Sequence, residues 1–173
     1  MAKFSIQGIE SRDVVVIGSG TLGRRVVLVW ASQGGSVRLV DSNEQAVKEA
    51  LTWVEVNLPG RVKAVKGTEG KVTIESSTQK AIKNAWMVVE CIPEIQKAKI
   101  DLLGQLDQWC PEDTIIAAIS SSYNSADLVE KVTEKGRARV VNTHYFQPPE
   151  LPPVDIMSSG STNPAIIKLL VAS

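Results

Sequence analysis

The 173-residue sequence has no excess of either charge: nineteen Lys and Arg stand against nineteen Asp and Glu. With no basic patch and no block of like charge, nothing points to a nucleic-acid partner or a charged tail. No apolar run approaches membrane-spanning length, and residues 1–13 are mixed and polar without the apolar centre of a secretory leader. No membrane association is therefore expected, and the expected location is cytoplasmic. Cysteine is scarce. Cys91 and Cys110 form no C-x-x-C pair and have no histidine close in sequence, which leaves buried, reduced thiols as their reading. No cluster of metal-ligating side chains is present, so no metal is expected. Histidine is scarcer still, since His144 is the only one. Repeats, low-complexity stretches and linkers are also missing. The length suits one domain over residues 1–173, with 1–11 as an N-terminal extension.

The strongest positive signal is Val14-Val-Val-Ile-Gly-Ser-Gly-Thr-Leu-Gly23. A β-branched run enters a G-x-G-x-x-G turn, an apolar helix-like segment follows, and Asp41 ends the next strand-like run at 36–40. Each part has a task in holding a dinucleotide. Gly18 permits the tight turn, Gly20 lets the backbone approach a pyrophosphate, and Gly23 lets the helix pack on the strand. The pyrophosphate would rest on the free N–H groups of the helix N-terminus, where Thr21 and Leu22 lie. Asp41 can accept hydrogen bonds from a ribose diol and repel a 2′-phosphate, which favours NAD over NADP. The alternative for Asp41 is to cap a helix beginning near Asn43.

The rest of the chain alternates strand and helix. Strands are expected at 14–17, 36–40, 72–75, 87–92, 114–119, 139–145 and 154–157. Helices are expected at 21–33, 43–57, 78–84, 94–109, 126–133 and from 163. The second helix is closed by Pro59-Gly60, with 61–71 as loop, and Thr78 and Ser125 are candidate caps. Continuous apolar strands with helices between them predict a doubly wound, mostly parallel α/β sheet in one domain. The apolar segment Ile166–Val171 needs cover, either from the sheet or from a second domain.

In open α/β sheets, ligands bind beyond the carboxyl ends of the strands. Three segments fall there: Pro93-Glu94, Ser120-Ser121-Ser122, and His144-Tyr-Phe-Gln-Pro-Pro149, with Asp155 on the next strand. His144 is the one side chain able to act as an unshifted base near neutral pH, and a carboxylate such as Asp155 could orient it. The plain alternatives are a structural histidine and a serine-rich loop.

These motifs together resemble the NAD-binding (Rossmann-type) domain of the 3-hydroxyacyl-CoA dehydrogenase family, which includes lambda-crystallin/L-gulonate 3-dehydrogenase-type members. The resemblance runs from about Arg12 to the end. It rests on 17–23, on Leu39-Val-Asp41, on Val88-Val-Glu-Cys-Ile-Pro-Glu94 with Lys97 and Lys99, on Ser120-Ser-Ser122 and on His144-Tyr-Phe-Gln-Pro148. It implies an oxidoreductase of fatty acid metabolism that uses NAD as cofactor and an acyl thioester or hydroxy acid as substrate. It further implies that Ser121 binds the substrate oxygen, His144 moves the hydroxyl proton and Asp155 orients the histidine. Glu94 and Lys99 would lie near the nicotinamide ribose, with Gln147 beside the cofactor. The sequence also departs from the family. Asp155 replaces a Glu after a loop one residue shorter, Gln147 replaces an Asn, and Ile119-Ser-Ser-Ser122 replaces Asn-Thr-Ser-Ser. The helical C-terminal domain, which in the family carries a further active-site Asn and makes the homodimer, is expected to be absent. Three functions are therefore open: the dehydrogenase, a non-redox isomerase, cyclase or dehydratase using His144 and Asp155, and a non-catalytic NAD-binding interaction module.

Overall fold

The computed structural model describes residues 6–172; residues 1–5 of the N-terminal extension lie outside the described residues. Strands β1 (Asp13–Ile17), β2 (Ser36–Val40), β3 (Val72–Ile74), β4 (Ala85–Glu90), β5 (Ile115–Ala118), β6 (Val140–Gln147) and β7 (Leu151–Ser158) form one sheet in the order β3-β2-β1-β4-β5-β6-β7. The first six strands are parallel, and β7 runs antiparallel to β6.

Every residue of β1, β4 and β5 is buried, as strands covered on both faces require. On one face, Val14, Val16 and Leu39 pack with α1 (Thr21–Ala31), α2 (Glu44–Val65) and α7 (Pro164–Val171). On the other, Val15, Val88 and Ile116 pack with Leu103 and Leu106 of α4 (Gln96–Trp109) and Leu128 of α5 (Ser125–Leu128). Short helices α3 (Thr78–Ala81) and α6 (Glu134–Arg137) complete the crossovers. The strand order reverses between β1 and β4, so the crevice of the sheet opens above the carboxyl ends of these two strands.

Several local expectations are corrected. Helix α2 does not stop at Pro59; it runs on to Val65 and ends on Lys66 in the left-handed conformation (φ 54°). Val54 and Leu58 are buried before the proline, and Val62 packs on the same core after it, so burial of one face outweighs the lost N–H. Ser77, not Thr78, caps α3. Ser125 is a buried member of a single helical turn rather than its cap. The expected short strand at 154–157 is the centre of the eight-residue β7, turned back on β6 through Pro148-Pro149-Glu150.

Helix α7 is covered by the sheet: Ile166 is fully buried and Leu170 nearly so. An uncovered helix, the ground for the interaction-module reading, is not what the structure shows. At the amino edge, Arg12 donates to Asp113 and to the Ala85 carbonyl, Arg38 to Asp13, and Arg139 to Asp107. Arg38 is thereby held away from Asp41.

Candidate functional site

Gly18 leaves β1 with φ 108°, and a Cβ there would lie 2.4 Å from the Cys91 carbonyl oxygen. A Cβ on Gly23 would lie 1.9 Å from the Gly18 oxygen. These two glycines make the turn fit between β4 and α1. Gly20 differs: nothing lies within 4 Å of its would-be Cβ. It is also the N-cap of α1, and no side chain caps the helix there. An open approach to uncapped N–H groups is what a pyrophosphate requires.

Asp41 faces this turn. Its Oδ2 accepts from the Ser19 N–H and Ser19 hydroxyl, each at 2.7 Å, and its Oδ1 accepts from the Asn43 N–H at 2.9 Å. Burial alone would raise its pKa, but these hydrogen bonds outweigh it and hold the carboxyl below its usual value. Three of about four acceptor positions are filled, leaving one for a ribose hydroxyl and a second if the Ser19 hydroxyl turns aside. The helix cap itself is Asn43, whose side chain accepts from Gln45 and Ala46. Ile17, Gly18, Gly20, Thr21, Leu22, Asp41, Cys91 and Pro93 are among the walls of this cleft, of about 680 Å³. Both cysteines are free, and Cys91 is half-buried, packed against the core and lining the cleft. Cys110 is buried, which pushes its thiol up to about 12.

A second cleft, of about 650 Å³, lies farther along the same edge. Ser121, His144 and Asp155 line it together. His144 and Asp155 are direct cross-strand partners in the β6–β7 register, so their side chains share one face. The His144 ring meets Phe146 edge-on, with centroids 4.8 Å apart. Its Nδ1 is buried without a hydrogen-bond partner, and among the described residues His144 forms no ion pair with Asp155. Asp155 thus stands opposite the histidine but is not bonded to it. Gln147 is exposed near the tip of the hairpin and lines neither cleft.

Between the clefts stands Glu94. Its Oε1 accepts from the Ser120 hydroxyl and, at 3.0 Å, from the Ser122 N–H; its Oε2 lies 3.1 Å from Lys99 Nζ. Burial works against ionisation of Glu94, but the hydrogen bonds prevail and keep it below the usual carboxylate value. Lys99 itself is wholly buried, and its ammonium is occupied by Glu90, Glu94 and the Ile92 carbonyl. It lies beneath the cleft surface. The motif reading included Glu90 and Ser120 but gave neither a role. A carboxylate inside an apolar strand with a lysine nine residues on was the available signal, because buried charges are paired.

No group of three or more His, Cys, Asp or Glu among the described residues is placed to hold a metal, and no described helix is long and apolar enough to cross a membrane.

Known proteins resemble this chain in sequence and fold. The 3-hydroxyadipyl-CoA dehydrogenase of Escherichia coli K12 is 29% identical over 174 residues, covering 94% of this chain and 35% of its own. The 3-hydroxybutyryl-CoA dehydrogenase of Clostridioides difficile is 30% identical over 157 residues, covering 87% and 55%. The solved 3-hydroxybutyryl-CoA dehydrogenase of Escherichia coli K12 superposes with a TM-score of 0.81 at 27% identity, over 92% of this chain and 35% of its own. The chain therefore spans between about a third and just over half of the curated relatives it matches first. The family model described as "3-hydroxyacyl-CoA dehydrogenase, NAD binding domain" matches residues 13–173. With nearly the whole sequence matched and the glycine turn and Asp41 in place, the chain belongs to this family of NAD-binding domains.

Proposed function

We propose that the chain serves an NAD-dependent oxidoreductase acting on the C3 carbon of a 3-hydroxyacyl thioester or a related hydroxy acid, in the cytoplasm. The observation that carries the reading is the placement of two clefts on one sheet edge, one walled by the glycine turn and the other by His144, with Glu94 between them. When bound, NAD supplies the hydride acceptor. Gly20 and the first N–H groups of α1 would hold its pyrophosphate, and Asp41 its ribose.

In the second cleft, Ser121 is exposed and available to donate to the substrate oxygen. His144 would take the hydroxyl proton during oxidation and return it in the reverse direction. Asp155, on the same face, stabilises the resulting imidazolium. Glu94 fixes the serine loop against the cofactor wall.

Two measurements test this. Calorimetric titration is expected to show NAD binding, and NADH oxidation is expected with a 3-ketoacyl thioester. A protein that neither binds NAD nor turns over any ketoacyl or hydroxy-acid substrate would overturn the proposal. Asp41→Asn keeps the side-chain shape but removes the charge. Since a hydrogen bond to a charged group is worth about 1.5–3 kcal/mol, the affinity for NAD is expected to fall about tenfold or more. Equal affinity in the variant would take Asp41 out of the site.

A further inference from the structure

Lys99 is among the largest wholly buried side chains. Its ammonium lies 2.7 and 3.0 Å from the two Glu90 oxygens, 3.3 Å from the Ile92 carbonyl and 3.1 Å from Glu94 Oε2. Glu90 is equally buried and also accepts the Ile92 N–H, at 2.9 Å. All the ammonium donors are spent inside the protein.

The network continues outward. The Glu94 oxygen not facing Lys99 accepts from Ser120 and from the Ser122 backbone, and the Ser120 hydroxyl accepts from the Tyr123 N–H at 2.9 Å. Ile92 and Pro93, beside Glu94 in sequence, are walls of the cofactor cleft, whereas Ser120–Ser122 are walls of the substrate cleft. One chain of charge-assisted hydrogen bonds therefore runs from the core under β4 to the loop that presents Ser121.

We propose that Lys99 and Glu90 are positioning residues that act through Glu94 to fix the Ser120–Tyr123 loop. In this role Lys99 orients the carboxylate that joins the two clefts. The inference rests on the proposed function for the task of Ser121. The physical reason lies in charge. Glu90 meets the buried ammonium with both oxygens, and Glu94 Oε2 completes the set of acceptors around it. The cofactor wall and the serine loop are thereby tied together.

Hydrogen exchange at the Ser122 and Tyr123 amides tests the proposal, because both protons are held by this network. Lys99→Met combined with Glu90→Gln removes both buried charges, so that neither partner is left unpaired. In this variant the two amides are expected to exchange about tenfold faster or more, while the amides of β1 keep their protection. Rates within about twofold of wild type in the folded double variant would overturn the inference. Should the double variant not fold, Glu94→Gln provides the second measurement. The Lys99 15Nζ resonance is then expected to shift together with the Ser122 amide, and an unmoved ammonium signal would equally overturn it. NAD titration of the wild type separates the two readings. Binding with unchanged exchange in the double variant removes the positioning role alone. Accelerated exchange in a protein that binds no NAD removes the proposed function and leaves the network standing.

Discussion

Replacing His144 by alanine is expected to lower the rate of NADH oxidation with a 3-ketoacyl thioester by about 10²- to 10⁴-fold, the range that a positioned general acid or base contributes. NAD affinity is expected to be unchanged, because the histidine lines the second cleft and not the first. The chain has one histidine, and Glu94 is held by Ser120, Ser122 and Lys99. The ring is half-buried on the hairpin, with its main aromatic contact at Phe146, so truncation removes little from the core. Folding should survive, and the loss should appear in the chemical step. Stopped-flow single-turnover absorbance at saturating NADH measures that step directly. A variant that turns over as fast as the wild type would remove His144 from the reaction.

The second large effect concerns the glycine turn, where two substitutions that look alike are expected to part. Gly23→Ala places a Cβ 1.9 Å from the Gly18 oxygen and 2.9 Å from its carbon, both backbone atoms. Neither can swing aside, and Gly18 is already pressed towards Cys91. Helix α1 must withdraw from β1, at a cost of about 3 kcal/mol, and NAD binding should be lost with it. Gly20→Ala meets nothing within 4 Å and should melt like the wild type. Its Cβ would instead occupy the path of the pyrophosphate, so affinity for NAD should fall without a change in folding. Thermal unfolding and calorimetry on the pair separate a glycine required by the fold from one required by the ligand. Equal melting of the two variants would contradict the packing account of Gly23.

The parallel core was legible because its signals are local and redundant. The runs at 14–17 and 115–118 are apolar without alternation, the run at 36–40 is apolar but for Ser36 and Arg38, and they lead into a glycine turn, a serine loop and an acid in turn. Helix α2 was cut short because proline is a strong local stop, while the force that carries the helix past Pro59 is burial of Leu58 and Val62 against distant strands. The antiparallel β7 was only half read. Its signal was present in the alternation of Val154 and Ile156, which pack inward, with Asp155 and Met157, which do not. That pattern marks a strand covered on one face. The site was legible as strand ends, which sequence order alone provides. The bonds within it were not: that Ser120 rather than Ser121 grips Glu94, or that Lys99 is sequestered by Glu90, depends on how β4, α4 and the serine loop converge.

The two outer strands of the sheet have a bearing on how copies of this protein behave at high concentration. An exposed strand edge is a row of unpaired donors and acceptors, and it recruits further strands into aggregates. At one margin stands β3, only three residues long. At the other stands β7, which carries Pro152 and Pro153 in succession. Successive N–H groups of a strand point to opposite sides, so one of these prolines removes a donor from the outward rim. One margin is too short to template growth and the other is interrupted. A sheet whose inner strands are as apolar and β-branched as any aggregation-prone segment is thus terminated at both sides by its own sequence.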